Sequence, residues 1–160
     1  MSGAPLRIFT DDALRGLLGR ELTCPSRLRV DQSRIDRFAD AIDDPQWIHV
    51  DVPRARRESP FGTTVAHGFL TLSLLTWFIE RTLVFEGGRM GLNYGLDKVR
   101  FIRPVPCDTE LAARLTLASL QTPDWGRHMT WDVVISDAAD AQAGWVKPVL
   151  AARWLTRWYR

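Results

Sequence analysis

The sequence predicts an α+β fold in which an antiparallel sheet wraps one apolar helix, and three observations predict it. Residues 59–79, SPFGTTVAHGFLTLSLLTWFI, hold no Asp, Glu, Lys or Arg in a chain where 25% of residues carry those charges. An amphipathic pattern of helical period precedes this stretch. From Gly87 onward, Gly- and Pro-rich turns bound segments of β-forming residues with partial alternation. Helices first and strands afterwards give an α+β architecture, and a sheet curled round the apolar helix is the economical packing.

Taken in order, residues 12–18 read as a short helix and residues 21–30 as one or two strands interrupted by Pro25. Asp31 is an N-cap candidate. Behind it Ile35, Phe38, Ala39 and Ile42 recur at helical spacing, with Arg34, Asp36, Arg37 and Asp40 on the other face. Pro45 closes that helix. The segment DDPQWIHVD, residues 43–51, reads as a loop, and Arg54-Ala55-Arg56-Arg57-Glu58 as a charged turn. Pro60-Phe61-Gly62-Thr63-Thr64 is turn chemistry leading into the central helix, which starts at His67-Gly68. Its apolar residues Phe69, Leu70, Leu72, Leu74, Leu75, Trp77, Phe78 and Ile79 fall on every face, so it needs cover on all sides. Glu80 and Arg81 bring it to the surface, well short of the roughly 20 residues that span a bilayer. Strands are expected at 90–96, 98–102, 110–121, 127–136 and 143–156, with Pro104 and Pro106, Pro123-Asp124-Trp125-Gly126 and residues 137–142 as breaks.

A length of 160 residues fits one domain, able to bury about two thirds of its unfolded surface. The N-terminus, MSGAPLRIFTDD, has no apolar run that reads as a signal peptide, so a cytoplasmic address is expected. Cys24 and Cys107 are isolated thiols without metal-ligand spacing, expected to be reduced and structural. The net charge of +2 is too small to point to nucleic acid. Nineteen of the twenty-one basic residues are Arg, whose planar fork suits phosphate, so the composition permits a phosphorylated ligand.

Two places could carry chemistry. Asp44 and His49 lie five residues apart just upstream of the buried stretch, and an Asp that orients a His makes a general acid/base pair. Ala66-His67-Gly68 opens the central helix, where Gly68 carries no Cβ to hold another group away from the backbone. Each pattern alone reads more readily as loop or helix-start residues satisfied by local hydrogen bonds than as a catalytic site.

Together and in this order, and followed by Val99-Arg100-Phe101-Ile102-Arg103-Pro104-Val105, they resemble the MaoC-like dehydratases, which include the (R)-specific enoyl-CoA hydratases. That family has a Gly-Asp-x-Asn-Pro-x-His loop, an Ala/Val-His-Gly helix start and a Val-Arg-Phe-x-x-Pro-Val strand. Here the loop is Asp43-Asp44-Pro45-Gln46-Trp47-Ile48-His49, with Asp43 for Gly, Gln46 for Asn and Trp47 for Pro. The Gln-Trp-Ile-His version is similar to the nodulation protein N-like branch. The motifs span residues 38–105.

The resemblance implies a hot dog fold, dimers that join their sheets edge to edge, and a CoA or carrier-protein thioester as substrate. It implies hydration of a 2-enoyl thioester, with Asp44 and His49 activating water and supplying a proton. The Gly68 N–H, at the positive end of the helix, would meet enolate charge. Gln46, Trp47, Ala66, His67 and Thr76 would border the substrate. Arg100 and Arg103, with Arg54, Arg56 and Arg57, are the phosphate candidates. No cofactor, metal or membrane is expected, and the three His residues are too scattered in sequence to suggest a metal site. A thioesterase on the same fold and a non-catalytic acyl-thioester binding module remain alternatives. The C-terminal RWLTRWYR interleaves cations with aromatics as single-strand nucleic-acid sites do, or else is a final strand packing its Trp residues. No nucleic-acid partner is expected.

Overall fold

The computed structural model describes residues 4–144 and 147–160. In chain order it contains β1 (Leu6–Ile8), α1 (Asp11–Arg15), β2 (Glu21–Thr23), β3 (Leu28–Val30), α2 (Gln32–Ile42), α3 (Trp47–Val50) and α4 (Val52–Glu58). These are followed by α5 (Gly68–Thr82), β4 (Leu83–Phe85), β5 (Met90–Phe101), β6 (Thr109–Gln121), β7 (Gly126–Asp137), α6 (Ala138–Gln142) and β8 (Pro148–Tyr159). The main sheet runs β2-β6-β7-β8-β5, with β3 also on β6, and all of its named pairings are antiparallel. Its long strands alternate inward and outward. On β7 the inward set is Met129, Trp131, Val133 and Ile135, all at most 2% exposed. These pack in one core with Leu70, Leu74, Leu75 and Phe78 of α5.

The α2 boundary follows from its residues. Asp31 accepts from the Arg34 N–H at 2.9 Å, one of the donors a helix start leaves unmet. At the other end Asp43 adopts φ 52°, ψ 38°, the left-handed C-terminal position where Gly is commonest and which Asp tolerates.

Several expected loops are short helices instead. The charged turn at Arg54–Glu58 belongs to α4, which Asp51 caps by accepting from Arg54 N–H. The 43–51 loop contains α3, and the 137–142 turn is α6, capped by Asp137. The expected strands 90–96 and 98–102 are one strand, β5. Register irregularities against β8 between Asn93 and Gly95 and between Leu96 and Lys98 break its alternation. The strand expected at 143–156 begins later and ends later, at Pro148–Tyr159; of the residues before it, 145–146 lie outside the described set. Strands β1 and β4, which pair in parallel, were not expected at all.

α5 departs most from expectation. Leu70, Thr71, Leu74, Leu75, Phe78 and Thr82 are buried, but Phe69 is 66% exposed and Ser73 and Glu80 are also exposed. Its outer face and the edge strand β5 border open space, so a single chain covers one side of this helix and not all of it. Both cysteines are free, and burial with the nearby Asp108 carboxylate raises the Cys107 thiol above its ordinary range, as suits an unreactive thiol. Among the described residues no helix is long and apolar enough to cross a membrane.

Candidate active site

The three sequence motifs meet at the start of α5. Val65 N–H donates to the Ile48 carbonyl at 3.0 Å, which fastens the segment before α5 to α3. Ala66 N–H donates to the Val105 carbonyl at 2.8 Å and Cys107 N–H to the Thr64 carbonyl at 2.8 Å, so the end of the Val99–Val105 motif pins the same segment from the other side. Phe101 then lies over Gly68: a Cβ built there would stand 3.1 Å from Phe101 Cδ1. Gly68 is the first residue of α5, and its N–H is among those a helix leaves without an internal acceptor.

His49 sits on α3, 7% exposed. Its Nδ1 is 2.6 Å from the Val65 carbonyl oxygen, which makes Nδ1–H the donor and leaves Nε2 with a free lone pair in the neutral ring. A backbone carbonyl therefore orients His49, where the sequence suggested that Asp44 would. Asp44 stands beside it with its side chain 51% exposed, and its carboxylate Oδ2 is 3.7 Å from His67 Nε2. His67 is 4% exposed and stacks on His49 with ring centroids 3.6 Å apart and planes 25° apart. Contrary to the sequence expectation, two of the three His residues are neighbours.

Asp44, His49 and His67 each place a possible ligand atom within 4.8 Å of the others. An imidazole binds a metal in its own ring plane, however, and two stacked rings hold their lone pairs side by side instead of converging. His49 Nδ1 is also committed to Val65, and His67 Nε2 lies 3.0 Å from the Asp44 carbonyl. The cluster fits proton transfer better than metal binding.

Burial is the largest influence on His49 and pushes its pKa below the ordinary 6.5; His67 pushes the same way, while the Val65 carbonyl and Asp44 oppose. The stability tied to the neutral ring is therefore complete above pH 6.5 and is lost as pH falls through the lower folded value. If His49 takes up a proton in the reaction, the acid limb of kcat/KM, which reports the free enzyme, should have its midpoint below 6.5. A midpoint above 6.5 in a pH–rate profile would count against His49 as the base.

A polar network that the sequence did not reveal supports the loop. Gln32 Nε2 donates to the His49 carbonyl at 2.8 Å and to Asp36 Oδ1 at 2.7 Å, and fully buried Thr64 donates to Gln32 Oε1 at 2.5 Å. Neither residue belongs to a motif; only the position of Gln32, directly after the α2 cap, is suggestive.

The remaining candidates are spread unevenly. Gln46 is exposed at the start of α3, Trp47 is half-buried under the Arg54 guanidinium at 4.4 Å, and Ala66 is buried. Arg54 also pairs with Glu58 at 2.7 Å, and Arg57 donates to the Pro53 carbonyl at 3.2 Å. Arg103 is already engaged by the Asp140 carboxylate and the Lys147 carbonyl, whereas Arg56 and Arg100 remain exposed. Thr76 spends its hydroxyl on the Ser73 carbonyl at 2.9 Å.

Thr76 nonetheless lines both large cavities between α5 and β5, of about 640 Å³ and 300 Å³. They share Thr76, Asn93 and Trp154, and the smaller begins at Phe69, next to Gly68. At the C-terminus, Trp154 is buried, Trp158 packs on Phe85 at 5.1 Å, and Arg153 holds Asp132 at 2.8 Å. These side chains belong to the fold and not to an open stacking platform.

The sequence matches the family described as MaoC like domain over residues 15–138. The chain belongs to the MaoC-like domain family. Nodulation protein N of Rhizobium leguminosarum bv. viciae is 41% identical over 145 residues, 87% of this chain and 84% of that protein. The 3-hydroxyacyl-thioester dehydratase Z of Mycobacterium tuberculosis (strain ATCC 25618 / H37Rv) is 39% identical over 154 residues, 96% of this chain and 99% of that one. Among solved structures, an R-hydratase from Pseudomonas aeruginosa in unliganded form superposes with TM-score 0.70 at 20% identity, covering 89% of this MaoC-like chain and 82% of the other. An (R)-hydratase from A. caviae gives TM-score 0.67 at 19% identity, covering 87% and 94%. At those identities the structural likeness carries the fold, which is the hot dog fold expected from the motifs.

Proposed function

We propose that this MaoC-like protein is an (R)-specific hydro-lyase that adds water to 2-enoyl thioesters, or removes it from (R)-3-hydroxyacyl thioesters, on a CoA or carrier-protein arm. The observation that carries the reading is that Asp44, His49 and His67 place side-chain atoms within 4.8 Å of one another, with His67 directly before Gly68, whose N–H opens α5. His49 Nε2 has a free lone pair because Nδ1 serves Val65. In hydration, the Asp44 and His49 pair takes a proton from water as its oxygen bonds to C3. The C2=C3 electrons move toward the thioester oxygen, and the pair returns a proton to C2. Gly68 N–H, at the positive end of a 15-residue helix, would stabilise the enolate oxygen in this reading. Asp44, His49 and Gly68 do not line the α5–β5 cavities, but Phe69, next to Gly68, lines the smaller one and together the two have the size of a small-molecule site, so we assign the acyl chain to them.

The test is conversion of crotonyl-CoA, followed by loss of the conjugated enone absorbance and by product chirality. The (R)-3-hydroxy thioester without free thiol is expected. Thiol release would favour a thioesterase. Acyl-CoA binding with no turnover, unaffected by Asp44→Asn, would leave a binding module.

The open side of α5 bears on assembly. Among the described residues β5 ends the sheet with only β8 beside it, and it exposes Leu92, Tyr94 and Leu96 at 47%, 54% and 42%. An unpaired edge with apolar side chains invites symmetric pairing with a second copy, which would also roof the α5–β5 groove. Light scattering at micromolar concentration should give the mass of a dimer or a multiple of it, and a monomer mass would contradict this.

A further inference from the structure

We propose that His67 is the positioning residue of the reacting pair: its ring is the platform on which the His49 imidazole lies, and its Nε2–H anchors the main chain at Asp44. This rests on the hydratase reading but concerns a side chain to which that reading gives no task. The motif resemblance suggested substrate contact for His67. At 4% exposure, closed in by Phe38 at 5.3 Å and His49 at 3.6 Å, the ring does not reach a ligand and acts through its neighbours.

The two halves of the pair differ in what holds them. Asp44 lies between α2 and α3 with a half-exposed side chain, so packing restrains it little. Its backbone is fixed by its own N–H to the Ala39 carbonyl at 3.1 Å and by its carbonyl accepting from His67 Nε2 at 3.0 Å. His49 is fixed in its plane by Val65 at 2.6 Å, while its ring face rests on His67. One side chain thus touches both members of the pair, and the next residue, Gly68, carries the oxyanion donor.

The cost of the arrangement is visible. With Nε2–H donating to Asp44, His67 Nδ1 is the lone-pair nitrogen, and it is buried without a partner. A ring placed there for packing alone would not need a nitrogen, so the Nε2 donor is the feature a hydrocarbon ring could not replace.

Two variants separate the functions. His67→Phe keeps the stacked ring and loses the donor, whereas His67→Gln keeps a donor at the reach of Nε2 and loses the ring. Each should lower kcat by about 10- to 100-fold, the scale of a misplacement near 1 Å. KM should change far less, because neither ring nor donor binds substrate. Nitrogen-15 spectra of His49 should show one Nδ1-protonated tautomer in the wild type and altered ring shifts in both variants. The titratable groups that act on His49 are Asp44 and His67, so its titration should also move in His67→Phe.

A folded variant with wild-type kcat, or with raised KM and intact kcat, would overturn the proposal. If the wild type turned over no 2-enoyl thioester, the hydratase reading would fall. The His49 spectra would then decide positioning alone, with unchanged shifts in both variants overturning it. Should His67→Phe fail to fold, His67→Gln carries the test.

Discussion

Asp44→Asn and His49→Ala should each slow hydration of crotonyl-CoA by about 10² to 10⁴-fold, the usual contribution of a general acid or base. Asp44→Asn keeps the shape of the side chain but cannot accept a proton as a carboxylate does. With its side chain 51% exposed and no capping role, it should leave the thermal midpoint nearly unchanged. His49→Ala removes the Nδ1 bond to Val65 and the stack on His67, so some loss of stability is expected as well. Because both groups act on one water, the double variant should lose far less than the product of the single losses, and its rate should sit within roughly tenfold of the slower single variant. Multiplicative losses in single-turnover experiments would mean that the two residues serve separate steps and would remove the paired mechanism.

What could be read from the sequence was whatever local chemistry or long periodicity encodes. The Asp31 cap, the amphipathic α2, the apolar α5 and the cores of β6 and β7 fall within a few residues of their expected positions. Strands β1 and β4 were hidden because each is three residues long and its partner lies 77 positions away at Leu6↔Leu83, so no local pattern marks either. α3, α4 and α6 looked like loops because helices of 4, 7 and 5 residues are too short to show a period.

The site divides along the same line. The order of the motifs put Asp44, His49 and Gly68 forward as candidates, and the fold brings Asp44 and His49 together beside His67, the residue before Gly68. That His49 takes its orientation from the Val65 carbonyl and its support from the His67 ring depends on a turn that folds residues 49 and 67 together, and no spacing rule expresses that. Thr64 and Gln32, 32 residues apart, were invisible for the same reason.

Gly68→Val should lower kcat by about 100-fold or more if the Gly68 N–H meets the thioester oxygen, the usual scale for loss of such a donor. A second explanation for glycine here must be separated from that one. A Cβ at Gly68 would stand 3.1 to 3.2 Å from the Phe101 ring, so the residue is also small because Phe101 packs on it. Phe101 is 48% exposed and can yield, so Gly68→Val should fold with only a modest drop in thermal midpoint. Phe101→Leu decides between the two: it gives the new side chain room without touching the N–H. If Gly68 serves only the fit to Phe101, the double variant Gly68→Val with Phe101→Leu should regain most of the Phe101→Leu activity. If the N–H is the oxyanion donor, the double variant should stay slow while its thermal midpoint recovers, because the branched side chain still crowds the approach to the first turn of α5. Recovery of both stability and kcat would withdraw Gly68 from the chemistry and leave Asp44 and His49 without an identified donor to the enolate.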